Sequence, residues 1–346
     1  MNRTFRSVFG LLALVPSVLS AQDMNMGGTE SQTKFGGFAD VGYRSFRPSG
    51  KAGFDFGGFD LFITSKLSQK VNFLVETVFE RGGDGVMGVD VERLSIAYNY
   101  RPYARFAAGR FHSPLGYWNS AFHHGAIMAP VIDRPFIAEF EDGNGLLPMH
   151  NLGAMVSGRD ISPLHLGYDV AIGSQLGIGG ALTGNPTTGV TLALNAEPVS
   201  GFKIGTSLYK DTRLKGIETQ TGGTLAADVD QLITGAFAAI NKGKLELIGE
   251  VHNIAQKSAT TSTVNSWGGY AYAGIRSGTV VPYVMYEAAQ AKDGDLFYDA
   301  MSLHNAAVGV RKELTANTVV KFEMKSIRLP NKTNRGEFST QFALQF

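Results

Sequence analysis

The chain has 346 residues and no cysteine, with 31 Lys and Arg against 30 Asp and Glu for a formal net charge of +1. Without cysteine there is no disulfide framework and no thiolate chemistry, and the balanced charge argues against nucleic acid as a partner. Its 43 Gly, 23 Phe and 12 Tyr suit tight turns and half-buried β surfaces.

At the N-terminus Arg3 and Arg6 precede an apolar stretch from Val8 to Val15, and the small-residue segment Val18-Leu19-Ser20-Ala21 follows. This is the order of a secretory signal, so residues 1–21 read as a cleaved signal peptide and 22–346 as the mature domain. Losing Arg3 and Arg6 leaves a charge of about −1. The stretch is far shorter than the roughly 20 residues that cross a bilayer as a helix, and no later apolar run approaches that length.

Beyond the signal, segments of about 9 to 12 residues alternate with period two and are separated by turn residues. The pattern predicts strands at 35–45, 54–66, 70–81, 89–100, 103–112, 150–158, 165–174, 189–198, 202–213, 231–241, 244–255, 267–277, 280–290, 302–313, 318–328 and 337–346. Phe338, Thr340, Phe342, Leu344 and Phe346 share one face of the last strand, opposite Ser339, Gln341, Ala343 and Gln345. The same parity gathers Asp60, Glu76, Glu80, Glu246, Glu250, Glu287 and Glu323 on one face with Lys66, Arg93, Arg110, Lys244, Arg311, Lys321 and Lys325. Alternation alone fits either a wet lumen or the solvent side of a soluble sheet. Connection length separates the two, because short turns such as 68–70 and 241–243 take turns with longer polar segments such as 175–189 and 215–230. That asymmetry predicts an all-β fold, a transmembrane antiparallel barrel of about sixteen strands in a bacterial outer membrane.

A strand ending in an aromatic, here Phe346, resembles the C-terminal signal by which outer-membrane barrels are handed to their assembly machinery. The segment Gly109-Arg110-Phe111-His112-Ser113-Pro114-Leu115-Gly116 resembles the G-[RQ]-F-K-[TS]-P-[FL]-G segment of the phosphate-selective porin O/P family. It departs at His112, where that family usually carries lysine, which puts phosphate selectivity in doubt. The resemblance implies a homotrimeric porin among outer-membrane lipids. Small hydrophilic solutes, anionic or phosphate-like ones among them, would diffuse through it passively.

The connection from Ser113 to Met149 is far longer than any other, and loops of this length are usually functional. By strand count it is the third external loop, which in sixteen-stranded porins folds into the lumen and narrows it. The resemblance therefore places Arg110, His112, Tyr117, Trp118, Asn119, His123, His124, Asp133, Arg134, Glu139, Glu141 and Asp142, with Lys321 and Lys325 of the wall, along the solute path. Ordinary loop packing is the alternative for each, with Tyr117 and Trp118 wedging the loop against the wall. His112, His123, His124 and His150 crowd the loop and its ends. Imidazole suits zinc, copper or iron, but adjacent His123 and His124 point apart in most backbones and no H-E-x-x-H spacing occurs, so no metal and no cofactor are expected. No G-x-S-x-G occurs and Ser, His and acids form no recognisable nucleophile arrangement, so the chain is expected not to be an enzyme. A non-conducting structural or adhesin barrel, or a barrel enzyme, is the alternative.

Overall fold

The computed structural model describes residues 32–81, 87–123, 125–139, 145–175, 187–220, 222–292, 294–298, 301–328 and 334–346. The expected signal peptide lies outside them. Among the described residues sixteen strands run in chain order and close into a barrel. They begin with β1 (Gln32–Arg47), β2 (Ala52–Lys66), β3 (Val71–Arg81), β4 (Met87–Arg101) and β5 (Ala104–His112). After a long connection come β6 (His150–Ile161), β7 (Leu166–Gln175), β8 (Gly189–Val199), β9 (Phe202–Arg213) and β10 (Val229–Lys242). The ring is completed by β11 (Leu245–Ser258), β12 (Val264–Ile275), β13 (Val280–Ala291), β14 (Met301–Thr315), β15 (Thr318–Arg328) and β16 (Asn334–Gln345).

Every strand pairs antiparallel with its chain neighbour, and β1 pairs with β16 from Phe38 opposite Gln345 to Arg47 opposite Gly336. Closure leaves no unpaired edge. All the expected strands are present, and most run past their expected ends. β1, expected at 35–45, spans Gln32–Arg47 because ladder bonds to β2 and β16 hold the backbone extended beyond the alternating residues. Phe346 adds a last pair, its backbone N and O bonding Gly37 O and N at 3.1 Å each, with its ring stacked on Phe59.

Burial follows the expected parity with its polarity inverted relative to a soluble sheet. On β15, Phe322 and Met324 are 48% and 63% exposed while Lys321 and Glu323 are 0% and 3%. Leu245 and Val251 of β11 are exposed and Glu246, Glu250 and His252 are buried. Soluble monomers rarely expose a contiguous apolar surface of this extent, whereas an apolar outer band facing hydrocarbon is the rule for membrane barrels. Two of the expected inward charges are exposed: Lys66, which ends β2, and Lys244, in the turn before β11.

Connections at one end are short, with 102–103, 200–201, 243–244 and 316–317 among them, while the opposite end carries 113–149, 176–188 and 214–228.

Candidate functional site

The long connection is anchored from its first residues. Gly109 and Gly116 of the motif both hold φ in the left-handed half, at +131° and +77°. A Cβ on Gly109 would collide with the Leu94 carbonyl, and one on Gly116 with Glu250 Oε1, so backbone and neighbours both demand glycine there. The chain then makes a short helix α1 (Tyr117–Ala121) and, further on, one 3-10 turn at Phe136–Ala138. Leu115, Trp118, Val131, Ile137, Leu146, Leu147 and Met149 pack into one buried cluster with Tyr209, Ile233, Ile254, Tyr270 and Tyr283 of the strands. The ring contacts of Tyr117 to Phe237 at 5.1 Å and of Trp118 to Tyr270 at 5.5 Å fit the alternative for these two residues, packing against the wall.

Polar anchors surround that cluster. Glu250 Oε2 accepts from the backbone N–H groups of Tyr117 (3.0 Å) and Trp118 (2.9 Å) and from the Tyr270 hydroxyl (2.9 Å). Glu287 accepts from Phe136 N at 2.7 Å and Glu323 from Ile132 N at 3.3 Å. Lys321 Nζ donates to the carbonyls of Ala126 (2.5 Å) and Val131 (2.8 Å) and to Gln341 Oε1 (3.1 Å). Lys321 therefore acts as a fully buried anchor. It was expected to be an exposed lining cation, but three acceptors hold it away from solvent. Arg44 of β1 bridges Asp133 at 2.7 Å, Glu337 at 2.8 Å and Asp55 at 3.2 Å, and Lys325 lies 3.5 Å from both Asp133 and Glu287.

Three cavities succeed one another along β1, each lined by residues of the same strand face. Arg44 and Phe46 border one of about 270 Å³, shared with Asp133, Glu139, Glu287, Lys325, Arg335 and Glu337. Phe38 and Asp40 border one of about 190 Å³, where Asp60, Asp90, Glu92 and His123 face Arg134. Gln32 and Lys34 border the last, of about 330 Å³, with Lys66 and Arg105.

The sequence candidates thus divide. Asp133, Arg134, Glu139 and Lys325 border the cavities beside β1, as do Trp118 and His123, and Tyr117 borders a further one of about 230 Å³ with Arg276 and Arg311; Asn119 is buried and donates to Ser113 O and Met149 O. Arg110 is tied to Asp90 at 2.8 Å. His112 and His123 meet Glu92 beside His150. His124, Glu141 and Asp142 lie outside the described residues. Sequence reasoning missed Arg44, Asp40, Asp90, Glu92 and Glu337. Alternation of Asp40, Gly42 and Arg44 against Val41 and Tyr43 carried the signal for the first two.

Burial pushes the Glu139 carboxyl up to about 8, with Asp133 and Glu287 adding to the rise and Lys325 and Arg134 opposing it. A raised acid disfavours the ionised folded state, so stability should decline from the ordinary value of 4.5 up to about 8 and then level off. Ionisation also adds a negative charge beside the first cavity. Any reversal potential should shift toward cations as pH rises through about 8, and Glu139→Gln should abolish that shift.

No family model and no curated protein matches the chain. Solved structures do. The anion-selective porin from Comamonas acidovorans aligns with TM-score 0.64 at 13% identity over 92% of this chain and 100% of its own. OmpF of Salmonella typhi in complex with daunomycin gives 0.66 at 11% identity, covering 91% and 97%. The outer membrane channel DcaP of Acinetobacter baumannii gives 0.62 at 10%, covering 93% and 98%. Identity at this level speaks for architecture alone, and the architecture is the closed sixteen-strand antiparallel barrel of outer-membrane porins.

Proposed function

We propose that this chain is an outer-membrane porin in which the 113–149 segment lies across the lumen and leaves a wet path along β1 for passive diffusion of small hydrophilic solutes. One observation carries the reading. The segment bonds to the buried polar faces of β1, β4, β11, β13 and β15 around the ring, yet polar cavities persist in succession beside β1. A structural barrel filled by its own loop has no use for such a series. The phosphate-type preference implied by the motif would need cations in the middle cavity. The described lining there sets Asp40, Asp60, Asp90 and Glu92 against Arg134, which favours cations in the smallest of the three cavities. Basic residues dominate only at Lys34, Lys66 and Arg105. Export by a cleaved signal at 1–21, delivery to the assembly machinery through Phe346 and a homotrimeric state belong to the same reading.

Single-channel recording of the refolded mature chain tests it. Stepwise openings with a cation-directed reversal potential are expected, and folded, inserted protein that never conducts would overturn it.

The membrane placement has its own test. Val308 stands mid-strand on β14 between Val284 and Met324, all three exposed. Val308→Lys should cost about 2–4 kcal/mol in lipid vesicles, the usual penalty for a lysine at the bilayer midplane, read as a lower urea midpoint. A change within about 0.5 kcal/mol, normal for a watery surface, would place that face outside hydrocarbon.

A further inference from the structure

Three imidazoles and one carboxylate converge where β4, β5, β6 and the long connection meet. His112 ends β5 and His150 opens β6, directly opposite each other in the ladder. His123 follows α1, and Glu92 is the extra residue of a bulge between Val91 and Arg93. Their ligand atoms all lie within 4.8 Å of one another. Glu92 Oε1 stands 2.6 Å from His123 Nε2, 2.7 Å from His150 Nε2 and 3.7 Å from His112 Nε2.

The tautomer of His123 is fixed from behind. Asn119 uses its amide N–H groups on the carbonyls of Ser113 and Met149, so its Oδ1, 2.5 Å from His123 Nδ1, accepts. The ring proton therefore sits on Nδ1, and the Nε2 lone pair of the neutral ring faces a carboxylate oxygen that is itself an acceptor. Two acceptors that close repel unless a cation joins them. One proton can serve one imidazole, whereas a metal ion accepts a lone pair from each of the three.

We propose that Glu92, His112, His123 and His150 form a binding site for a divalent transition-metal ion of the zinc, nickel or copper class. Three imidazole nitrogens and one carboxylate oxygen are a donor set for such ions, and are too poor in oxygen for calcium or magnesium. Donor atoms about 2.0–2.1 Å from one tetrahedral ion lie roughly 3.3 Å apart, so the Glu92 contacts to His123 and His150 would open slightly to admit the ion while the outlying His112 ring swings in. Asn119 supplies the backing hydrogen bond that orients a ligating histidine. Glu92 and His123 border the 190 Å³ cavity whose Asp40, Asp60 and Asp90 would draw a cation inward. The bound ion would tie both ends of the 113–149 segment and the turn after α1 to β4. The site stands on side-chain geometry and is independent of conduction.

The full mature chain, refolded in detergent and stripped with a chelator, is titrated with cobalt followed by absorbance and with zinc followed by calorimetry. Saturable binding of one ion per chain is expected, with ligand-field bands of nitrogen-coordinated cobalt. His123→Ala and His112→Phe should each weaken it by about 100-fold and Asn119→Ala by about 10-fold, the usual range for a partner behind a ligand. The double variant H165A/H304A, which removes two histidines outside the cluster, should bind as the parent does. Heat-modifiable migration on gels checks folding; if His123→Ala does not fold, His112→Phe decides, since its ring is the least tied to Glu92. Absence of saturable binding, or equal binding by folded His112→Phe, would overturn the site.

Discussion

Replacing Arg44 by alanine should lower stability by about 3–5 kcal/mol, the usual consequence of removing one partner from a buried ion pair. Its guanidinium, itself partly exposed, bridges three carboxylates, of which Glu337 is almost wholly buried, Asp133 mostly so and Asp55 exposed. Burial alone would raise the Asp133 carboxyl; Lys325 and then Arg44 hold it down at about 2. A depressed acid contributes stability that is complete above its ordinary value of 3.8 and is lost as pH falls to about 2. Arg44→Ala should shrink that contribution, so the variant, less stable at neutral pH, should lose less further stability than the parent between pH 3.8 and about 2. Lysine is a poor replacement, because it cannot present the planar fork that reaches several carboxylates at once. In a bilayer the loss of one fixed cation beside the first cavity should move the reversal potential further toward cations. A stability change below about 1 kcal/mol would show that the hub is solvated in the way of a surface ion pair.

The barrel was legible because it is written twice in the sequence, once in alternation within strands and once in the alternating lengths between them. Phe322, Met324 and Phe342 against Lys321, Glu323 and Gln341 need only a period-two count. The site was less so. At β4 the sequence Val89-Asp90-Val91-Glu92-Arg93-Leu94 breaks the period: Val91 and Leu94 are both exposed, three residues apart, because the ladder shifts from Glu76 opposite Arg93 to Thr77 opposite Val91. Glu92 is the residue left over, and a parity count has no rule for a bulge. His150 lies far along the chain from His112, yet pairing of β5 with β6 places them side by side. Neither the divergence of adjacent His123 and His124 nor the lack of H-E-x-x-H spacing bears on partners brought in from other strands, and those of His123 stand on β4, β5 and β6. Lys321 was assigned to the correct face, but its burial under the Ala126 and Val131 carbonyls depends on the course of the loop, and the irregular sequence of that loop has no period to read.

Glu250→Ala should release the loop from the wall opposite β1 and β4. One carboxylate oxygen there satisfies two backbone N–H groups at the start of α1 and the Tyr270 hydroxyl, while the other meets His252 at 2.8 Å. Hydrogen bonds to a charged group are worth about 1.5–3 kcal/mol each, and donors sharing one acceptor do not add, so a loss of about 3–5 kcal/mol is expected. Gly116→Ala attacks the same contact from the other side, since its new Cβ would occupy the place of Glu250 Oε1 and its φ of +77° is strained for any residue with a side chain. Both variants should give larger, noisier openings if the segment partly closes the lumen. Charge separates them: removing Glu250 deletes a negative group and should move the reversal potential toward anions, whereas Gly116→Ala leaves the charge intact and should alter conductance with little change in selectivity. Unchanged conductance in both variants, with the barrel folded, would mean that the segment is anchored at Glu250 without restricting the path.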